Sequence, residues 1–245
     1  MSVPTGVPEA LQGLLEARHI DEVLFPLKSG KEATVYVTRK NGGDAPRLLA
    51  AKVYRDLQHR SFRRDGIYRT GWVVDDERLA RAIAGKTRTG REALFGMWVG
   101  EEAQMLRRAR SAGADVPAVV TATSSVILME YLGDEEVRAP ALAELQLTPE
   151  EAEEVFAQVM AGLTALLRAN VIHADLSAYN VLCWEGRAVL IDFPQAVDAR
   201  KNRNAQELLA RDVANLCTYF RRQGYECDAE RLARELWDAW LRDRL

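Results

Sequence analysis

Three oxygen-bearing side chains flank two short apolar runs in the C-terminal half of the chain. Asp175 and Asn180 come just before the run 181–183, and Asp192 follows directly after the run 188–191. The short link between the runs predicts a tight hairpin, which would bring the three side chains to one edge. Two carboxylates and an amide are hard ligands suited to Mg²⁺ that bridges substrate phosphates. The pattern therefore predicts phosphoryl transfer, with Asp175 accepting the proton of the attacking group.

Each acidic residue also has a structural interpretation. Asp175 could be a turn residue and Asp192 a cap at a strand end, and either one alone would favour that view. Their joint spacing on one predicted hairpin favours a phosphotransfer site. His173 is different, because it follows an apolar pair at 171–172. We expect it to support the packing of the loop rather than catalysis.

A lysine inside an apolar strand is a second indication of nucleotide chemistry. Lys52 lies in the run 50–54, where its charge costs desolvation unless it is paired or the strand is an exposed edge. We expect Lys52 to point at nucleotide phosphates and to be held by Glu102 on a following helix. Upstream, Ser29 and Lys31 flank a glycine, so that a strand–turn–strand could bring donors to phosphate. With a single glycine, an ordinary hairpin turn is an equally good interpretation.

The order of predicted elements is that of an α+β, bilobal, protein-kinase-like fold. Three strands are expected in 20–54, a helix over 92–110 and two more strands within 119–129. The strand pattern breaks at Glu130 and Leu132, whose backbone groups could contact an adenine edge. A mainly helical segment follows, which predicts a small β-rich N-lobe and a helical C-lobe.

The two predicted lobes differ in composition. The N-lobe, over 1–130, has an N-terminal helix and an Arg-rich insertion over 55–90, whereas the C-lobe, over 131–245, carries the catalytic hairpin. The insertion interleaves basic and aromatic residues: Arg60, Phe62, Arg63, Arg64, Tyr68, Arg69 and Trp72. It could contact RNA or an acidic partner. We favour a solvated loop with mixed charges, including 86–91, and a short helix over 78–83.

The composition indicates a globular cytoplasmic protein with no membrane partner. The 245 residues suit one bilobal domain or two small ones, and with 48 % hydrophobic and 28 % charged residues the chain can bury a real core. The net charge of −3 gives no global attraction to nucleic acid or anionic membranes. No run approaches the roughly 18 apolar residues of a membrane span, and no signal pattern opens the chain. The three cysteines lack metal-ligand spacing, and we expect reduced, buried thiols.

These motifs together resemble the RIO family of atypical protein kinases, and its bacterial members most closely. The similarity covers nearly the whole chain from about residue 20 onward. The matching segments are SGKEATVY (29–36), AAKVYR (50–55), F-R-R-D-x-x-Y (62–68), KTRTGR (86–91), MEYLGD (129–134), HADLSAYNVL (173–182), IDFPQAVD (191–198) and ARDVANL (210–216). The pairing of HxDLSxxN with IDxxQ is the most specific of these features.

The resemblance implies an ATP- and Mg²⁺-dependent serine/threonine protein kinase that phosphorylates itself, with Mn²⁺ able to replace Mg²⁺. The implied roles are phosphate anchoring for Lys52 with Glu102, catalysis for Asp175, metal binding for Asn180 and Asp192, and adenine contact for Glu130 and Leu132. RIO-family enzymes are also thought to pass phosphate onto the metal-binding aspartate, which would give Asp192 a covalent role. Ser61, in the Arg-rich insertion, is a candidate acceptor hydroxyl.

Two other functions stay open at the level of sequence. One is a small-molecule phosphotransferase of the aminoglycoside or choline kinase type, which uses a similar HxDxxxxN loop. The other is a nucleotide-gated assembly factor that binds RNA or ribosomal precursors and uses ATP hydrolysis as a switch. The physiological protein substrate and the oligomeric state are not determined by the sequence.

Overall fold

The computed structural model describes residues 8–42, 47–55, 77–85, 87–243 and 245, which form two compact units. The sheet unit takes the described residues up to 103 together with 118–135. The helical unit takes 104–117 and the described residues from 136 onward. The lobe boundary between residues 130 and 131 stays a prediction.

The sheet unit is built around one five-stranded antiparallel sheet. Its elements are α1 (Glu9–Glu16), β1 (Glu22–Ser29), β2 (Ala33–Lys40), β3 (Arg47–Tyr54), α2 (Glu77–Ala84), the first part of α3 (Arg88–Ser111), β4 (Val119–Ala122) and β5 (Val126–Glu130). The strand order is β1-β2-β3-β5-β4, so β3 is the central strand. A central strand is hydrogen-bonded on both sides, which makes its side chains the most shielded from water.

Strand β3 alternates its side chains between two buried clusters. Leu49 and Ala51 pack in the cluster that includes α1, whereas Tyr54 packs with Val99 of α3 on the opposite face. Because side chains alternate along a strand, Lys52 shares the Tyr54 face and is directed towards α3. The position of this lysine therefore follows from the two-residue period of the strand.

The loop predicted over 86–91 is wrong from residue 88 onward, because α3 begins at Arg88. Two local interactions support the first turn of this helix. The Thr87 hydroxyl accepts the Gly90 N–H at 3.1 Å, and Arg88 pairs with Glu92 at 2.8 Å. The short helix expected over 78–83 is confirmed as α2. Ser61 and the arginines and aromatics named in the insertion lie outside the described residues.

The helical unit contains the predicted hairpin. Its elements are the end of α3, a 3₁₀ turn (Leu142–Glu144), α4 (Pro149–Arg168), β6 (Val171–Ile172), a second 3₁₀ turn (Ala178–Asn180), β7 (Val181–Trp184), β8 (Arg187–Leu190), β9 (Val197–Asp198), α5 (Ala205–Arg222) and α6 (Ala229–Leu241). The turn between β7 and β8 has two residues, Glu185 and Gly186, with φ of 49° and 76°. Two positive φ values are those of a type I′ turn, whose twist matches that of the strands.

Helix α4 starts at a capping box and supports the hairpin. The Thr148 hydroxyl accepts the Glu151 N–H at 3.2 Å, and the Glu151 carboxylate accepts the Thr148 N–H at 2.8 Å. Further along, a Cβ built at Gly162 would lie 3.1 Å from Leu190 Cδ1, so this glycine lets β8 approach α4 closely. Hairpin and helix thus pack directly against each other.

None of the described helices has both the length and the apolar composition needed to cross a bilayer. All three cysteines are free thiols. Cys217 is buried, as expected, whereas Cys183 and Cys227 are half-buried. Burial raises the pKa of the Cys183 thiol.

Candidate functional site

Lys52 and Glu102 form a buried ion pair in the sheet unit. Lys52 Nζ lies 2.7 Å from Glu102 Oε1, and the two side chains are only 9 % and 2 % exposed. The Tyr54 hydroxyl donates to the other carboxylate oxygen of Glu102. The Tyr54 ring centroid is also 5.2 Å from Lys52 Nζ, within the range of a cation–π contact. The two carboxylate oxygens of Glu102 therefore each have a partner, and the ammonium group is held in one position.

The pairing of β3 on both sides excludes an exposed edge as the reason for a lysine in this strand. Lys52 lies opposite Val35 of β2 on one side and opposite Ile127 of β5 on the other. Burying a charged pair costs desolvation that the attraction between the charges often does not repay. Such an arrangement is typical of a functional site rather than of a surface strand.

The turn between β1 and β2 is short and carries more positive charge than the sequence suggested. Its closing bond runs from the Gly30 N–H to the Ala33 carbonyl at 2.9 Å. The Ser29 hydroxyl accepts a hydrogen bond from the Arg55 guanidinium, whereas Lys31 is exposed. Ser29 thus lies in a small polar network, and Arg55 adds a cation beside Lys31 at the turn. Arg55 directly follows the strand of the candidate lysine, and this position is the sequence signal for its place at the turn.

The backbone N–H of Glu130, one of the two candidate adenine-contacting residues, already has a hydrogen-bond partner. The Glu130 N–H donates to the Ala118 carbonyl at 2.8 Å, and the Glu130 carboxylate accepts the Ala118 N–H at 3.1 Å. Because the Glu130 N–H is engaged in this reciprocal pair, the expected contact of Glu130 with adenine would have to use the Glu130 carbonyl. The Leu132 side chain is buried, at 6 % exposure.

In the helical unit, the loop before β7 and the end of β8 lie together, as the hairpin predicted. Val181 pairs with Leu190, and the Ile191 N–H donates to the Asn180 carbonyl at 2.9 Å. Asp192 therefore follows directly on the strand end that contacts Asn180. The carboxylate residues Asp175 and Asp192 are both exposed, whereas Asn180 is half-buried.

Two residues of this site have a left-handed backbone although neither is glycine. Ala174 has φ of 65° and Asp192 has φ of 69°. Such conformations cost roughly 1–3 kcal/mol each and persist only where the surroundings fix them. They orient Asp175 and Asp192 in ways that a regular strand would not allow.

Asp212 of α5 is the residue that fixes this loop, and the sequence analysis missed it. Its side chain is fully buried, and its two oxygens accept the Ala174 N–H at 2.7 Å and the Leu176 N–H at 2.9 Å. Arg211 donates to the Ala174 carbonyl, and Asn215 donates to the Leu176 carbonyl at 3.0 Å. One turn and a half of α5 therefore holds the backbone on both sides of Asp175.

A sequence signal for Asp212 was present in the apolar stripe of α5. Leu208 and Leu216 are four residues before and after it, so an acidic side chain occupies an inward-facing helical position. A buried carboxylate needs hydrogen-bond donors, and this requirement alone would have indicated a structural or catalytic role.

His173 supports the loop, as expected from its apolar neighbours. Its ring is fully buried, its Nε2 lies 3.0 Å from the Ile191 carbonyl, and its centroid is 4.5 Å from that of Phe193. These contacts tie the residue before Ala174 to the residues on both sides of Asp192. The histidine thereby links the two strained positions.

The environment of the site makes its acidic groups harder to ionise. Although residue Asp175 is exposed to solvent, the partial burial of its carboxyl group raises its pKa, Arg211 lowers it, and the charge of Asp192 raises it. Burial also raises the pKa of Asp212 to about 7, against the lowering effect of the two backbone N–H groups that it accepts. The effect of Asp192 on Asp175 is that of a like charge, which disfavours the ionised form of a neighbouring carboxyl group.

The donor set suits a divalent cation that shares its ligands with phosphate. In the part of the chain that the structure describes, no three His, Cys, Asp or Glu side chains form a ready-made metal cluster. Asn180 Nδ2 donates to the Asp175 carbonyl at 2.9 Å, which orients the amide and leaves Oδ1 as its ligand atom. Two carboxylates and one amide oxygen fit Mg²⁺, which takes its other ligands from water and phosphate.

The structure thus brings the candidate residues into two groups. Ser29, Lys31, Lys52, Glu102, Glu130 and Leu132 belong to the sheet unit, and Asp175, Asn180 and Asp192 belong to the helical unit. Within the first group, Lys52 and Glu102 contact each other directly. Within the second group, Asp175 and Asn180 are hydrogen-bonded and Asp192 interacts with Asp175 through its charge.

Comparison with known proteins identifies the family. The sequence profile of the RIO domain matches residues 34–232 of the 245. The chain belongs to the RIO domain family. It is 35 % identical over 224 residues to the RIO-type serine/threonine-protein kinase Rio1 of Haloferax volcanii, covering 91 % of this chain and 71 % of the relative. It is 30 % identical to Rio1 of Methanocaldococcus jannaschii, covering 89 % and 69 % of the two chains.

A solved structure supports the fold of this RIO domain. The Rio2 kinase of Chaetomium thermophilum, solved as an ADP/Mg²⁺-phosphoaspartate complex, matches with a TM-score of 0.64 and 18 % identity, over 96 % of this chain and 69 % of that one. The predicted kinase-like α+β fold is thereby confirmed. The named relatives also confirm the predicted enzyme class, a protein kinase.

Proposed function

We propose that this RIO domain is a Mg²⁺- and ATP-dependent serine/threonine protein kinase that also phosphorylates itself. The observation that carries the proposal is the loop of Asp175, which a buried aspartate and a hydrogen-bonded asparagine hold in one geometry despite the strained backbone at Ala174. This much backbone fixing around an exposed carboxylate has no evident value for folding alone. It gives a general base a constant position relative to an incoming hydroxyl group.

Asp175 is proposed as the group that orients the acceptor hydroxyl and takes its proton. Its carboxylate is exposed on a fixed loop, and its raised pKa strengthens it as a base while it is ionised. Asn180 and Asp192 would hold Mg²⁺, which when bound neutralises charge on the phosphates. Lys52, positioned by Glu102, would bind nucleotide phosphate, and the cations at the β1–β2 turn, Lys31 and Arg55, are suited to the same anion.

The relatives support serine/threonine transfer by their names, and the Rio2 structure adds a second acceptor. That structure is a complex with ADP and Mg²⁺ that contains a phosphoaspartate. We therefore propose Asp192 as an alternative acceptor in this chain, which would form an acyl phosphate. The relatives named above are archaeal and eukaryotic, so membership of a bacterial subgroup stays a prediction.

The test is incubation of the purified chain with γ-labelled ATP and Mg²⁺, beside Asp175→Asn. We expect label on the wild-type chain and on added dephosphorylated casein, and loss of at least a hundredfold in Asp175→Asn, in line with the usual size of general-base effects. Asp238→Asn, an exposed aspartate of α6, is the matched control and should be labelled like the wild type.

The chemistry of the label separates the acceptors. Acid-stable label indicates serine or threonine, whereas label released by hydroxylamine indicates an acyl phosphate at Asp192. Equal labelling of Asp175→Asn and wild type would contradict the proposal.

The RNA-binding or ribosome-assembly switch stays a prediction, because the basic and aromatic residues that suggested it lie outside the described residues. The small-molecule kinase has weaker support, since the named relatives are protein kinases.

A further inference from the structure

The loop of Asp175 exposes a second side chain that the proposed chemistry does not use. Between Val171 and Trp184 only two residues are exposed, Asp175 and Tyr179. Tyr179 is 69 % exposed, the highest value among the large hydrophobic side chains of the described residues. Among the described residues, no aromatic ring packs on the Tyr179 ring and no hydrogen bond to the Tyr179 hydroxyl is found.

The other tyrosines of the helical unit have clear structural roles. Tyr219 donates its hydroxyl to the Leu142 carbonyl at 2.7 Å, and Tyr225 lies with its ring centroid 4.8 Å from that of Phe156. Among the described residues Tyr179 has no such contact, although leaving an aromatic ring in water forfeits the gain from its burial. Its ring is therefore available to a bound partner.

The backbone on either side of Tyr179 is fixed. The preceding residue, Ala178, is buried in the 3₁₀ turn, and the following residue, Asn180, is hydrogen-bonded through its side chain to the Asp175 carbonyl. The Leu176 carbonyl is held by Asn215. A rigid backbone presenting a side chain with two rotatable bonds loses little entropy when that side chain binds a partner.

We infer that Tyr179 is a specificity-determining residue, whose ring packs against the protein segment that carries the acceptor hydroxyl. This inference rests on the proposed function and adds a protein-binding residue to it. Asp175 and Tyr179 are four residues apart and are the two exposed residues of the same fixed loop, so the ring is available to a chain whose hydroxyl reaches Asp175. Aromatic side chains are enriched in protein-binding surfaces because they combine a large apolar area with a polar tip. The ring suits an extended peptide better than a small alcohol, which it would only partly contact.

The experiment measures transfer from ATP to dephosphorylated casein as the acceptor protein, in wild type, Tyr179→Ala and Tyr179→Phe. We expect Tyr179→Ala to raise KM for casein at least fivefold while KM for ATP shifts by less than twofold. Tyr179→Phe keeps the ring and should restore KM for casein to within twofold of wild type. Leu241→Ala, another exposed apolar side chain at 62 % exposure, is the matched control and should leave both constants unchanged.

Three results would overturn the inference, and each has a distinct meaning. A KM for casein within twofold of wild type in Tyr179→Ala would show that the ring does not contact the acceptor. Phosphate mapped by mass spectrometry to the Tyr179 hydroxyl would make this residue an acceptor instead. If the wild type transfers phosphate neither to casein nor to itself, the proposed function fails first, and this inference fails with it.

Discussion

Removing the charge of Glu102 should destabilise the sheet unit. The loss should be far larger than when the carboxylate is removed from a surface ion pair with a similar N···O distance. In Glu102→Gln, Lys52 would keep its ammonium group at a site where its side chain is only 9 % exposed, without the carboxylate now 2.7 Å away. Leaving one partner of a buried pair uncompensated costs about 3–5 kcal/mol of unfolding free energy. The glutamine oxygen can still accept a hydrogen bond, so we expect a loss of about 3 kcal/mol, at the low end of that range.

The chain provides a matched control for this prediction. Arg88 and Glu92 are 2.8 Å apart, almost the same separation, but their side chains are 89 % and 60 % exposed. Pairs of this kind on a helix surface contribute about 0.5 kcal/mol or less. Glu92→Gln should therefore leave the free energy of unfolding nearly unchanged, because water screens the charges of this exposed pair. The Lys52–Glu102 pair is buried and lacks this screening.

Urea unfolding followed by tryptophan fluorescence measures both losses. Hydrogen exchange of peptides from β3 and α3 assigns the transition to the sheet unit. The double variant Lys52→Met/Glu102→Gln removes both charges and should recover about 2 kcal/mol relative to the sum of the single variants. A loss below 1 kcal/mol in Glu102→Gln, or strict additivity in the double variant, would refute the reasoning.

Three further predictions concern the helical unit and the turns. Because burial raises the pKa of Asp212 from 3.8 to about 7, the folded state binds this proton more tightly than the unfolded state, so the free energy of unfolding should fall as pH rises from 3.8 to about 7. Asp212→Asn should remove that slope and cost about 1–3 kcal/mol for the N–H that loses its acceptor, measured by urea titrations across this pH range. Transfer needs ionised Asp175, whose pKa Arg211 lowers, so Arg211→Gln should move the acid limb of the kcat–pH profile to higher pH. Gly186→Ala should cost about 1 kcal/mol, since Gly186 has φ of 76°, whereas Gly13→Ala within α1 should stabilise by about 0.5–1 kcal/mol, both measured by thermal unfolding.

Each of these has a result that would contradict it. The prediction for Asp212 is contradicted if the unfolding free energies of wild type and Asp212→Asn differ by a constant amount from pH 4 to 7. An unshifted acid limb in Arg211→Gln would remove Asp175 from the role of base, and the plateau value of kcat reports separately on damage to the loop. The turn prediction fails if both alanine variants change stability in the same direction, because open space surrounds both positions and only their backbone conformations differ.

Local sequence signals determined much of the fold and placed most of the candidate residues. The capping box of Thr148 and Glu151, the hairpin around Gly186 and the apolar stripe of α4 each involve residues close together in the chain. Propensity, turn chemistry and helical periodicity act over this range, so the sequence predicts them directly. The same signals predicted the loop of Asp175 and the strand end of Asp192.

Only the tertiary structure decided which distant groups meet. It made β3 a central strand and so buried Lys52, it engaged the Glu130 N–H with Ala118, and it brought Asp212 beneath the loop of Asp175. Asp212 lies in sequence 37 residues after Asp175 (212 − 175 = 37), and no local pattern specifies which of the chain's many donors a buried carboxylate will contact. That choice is made when packing closes the chain, because an unpaired buried charge or N–H group costs more than most single contacts contribute.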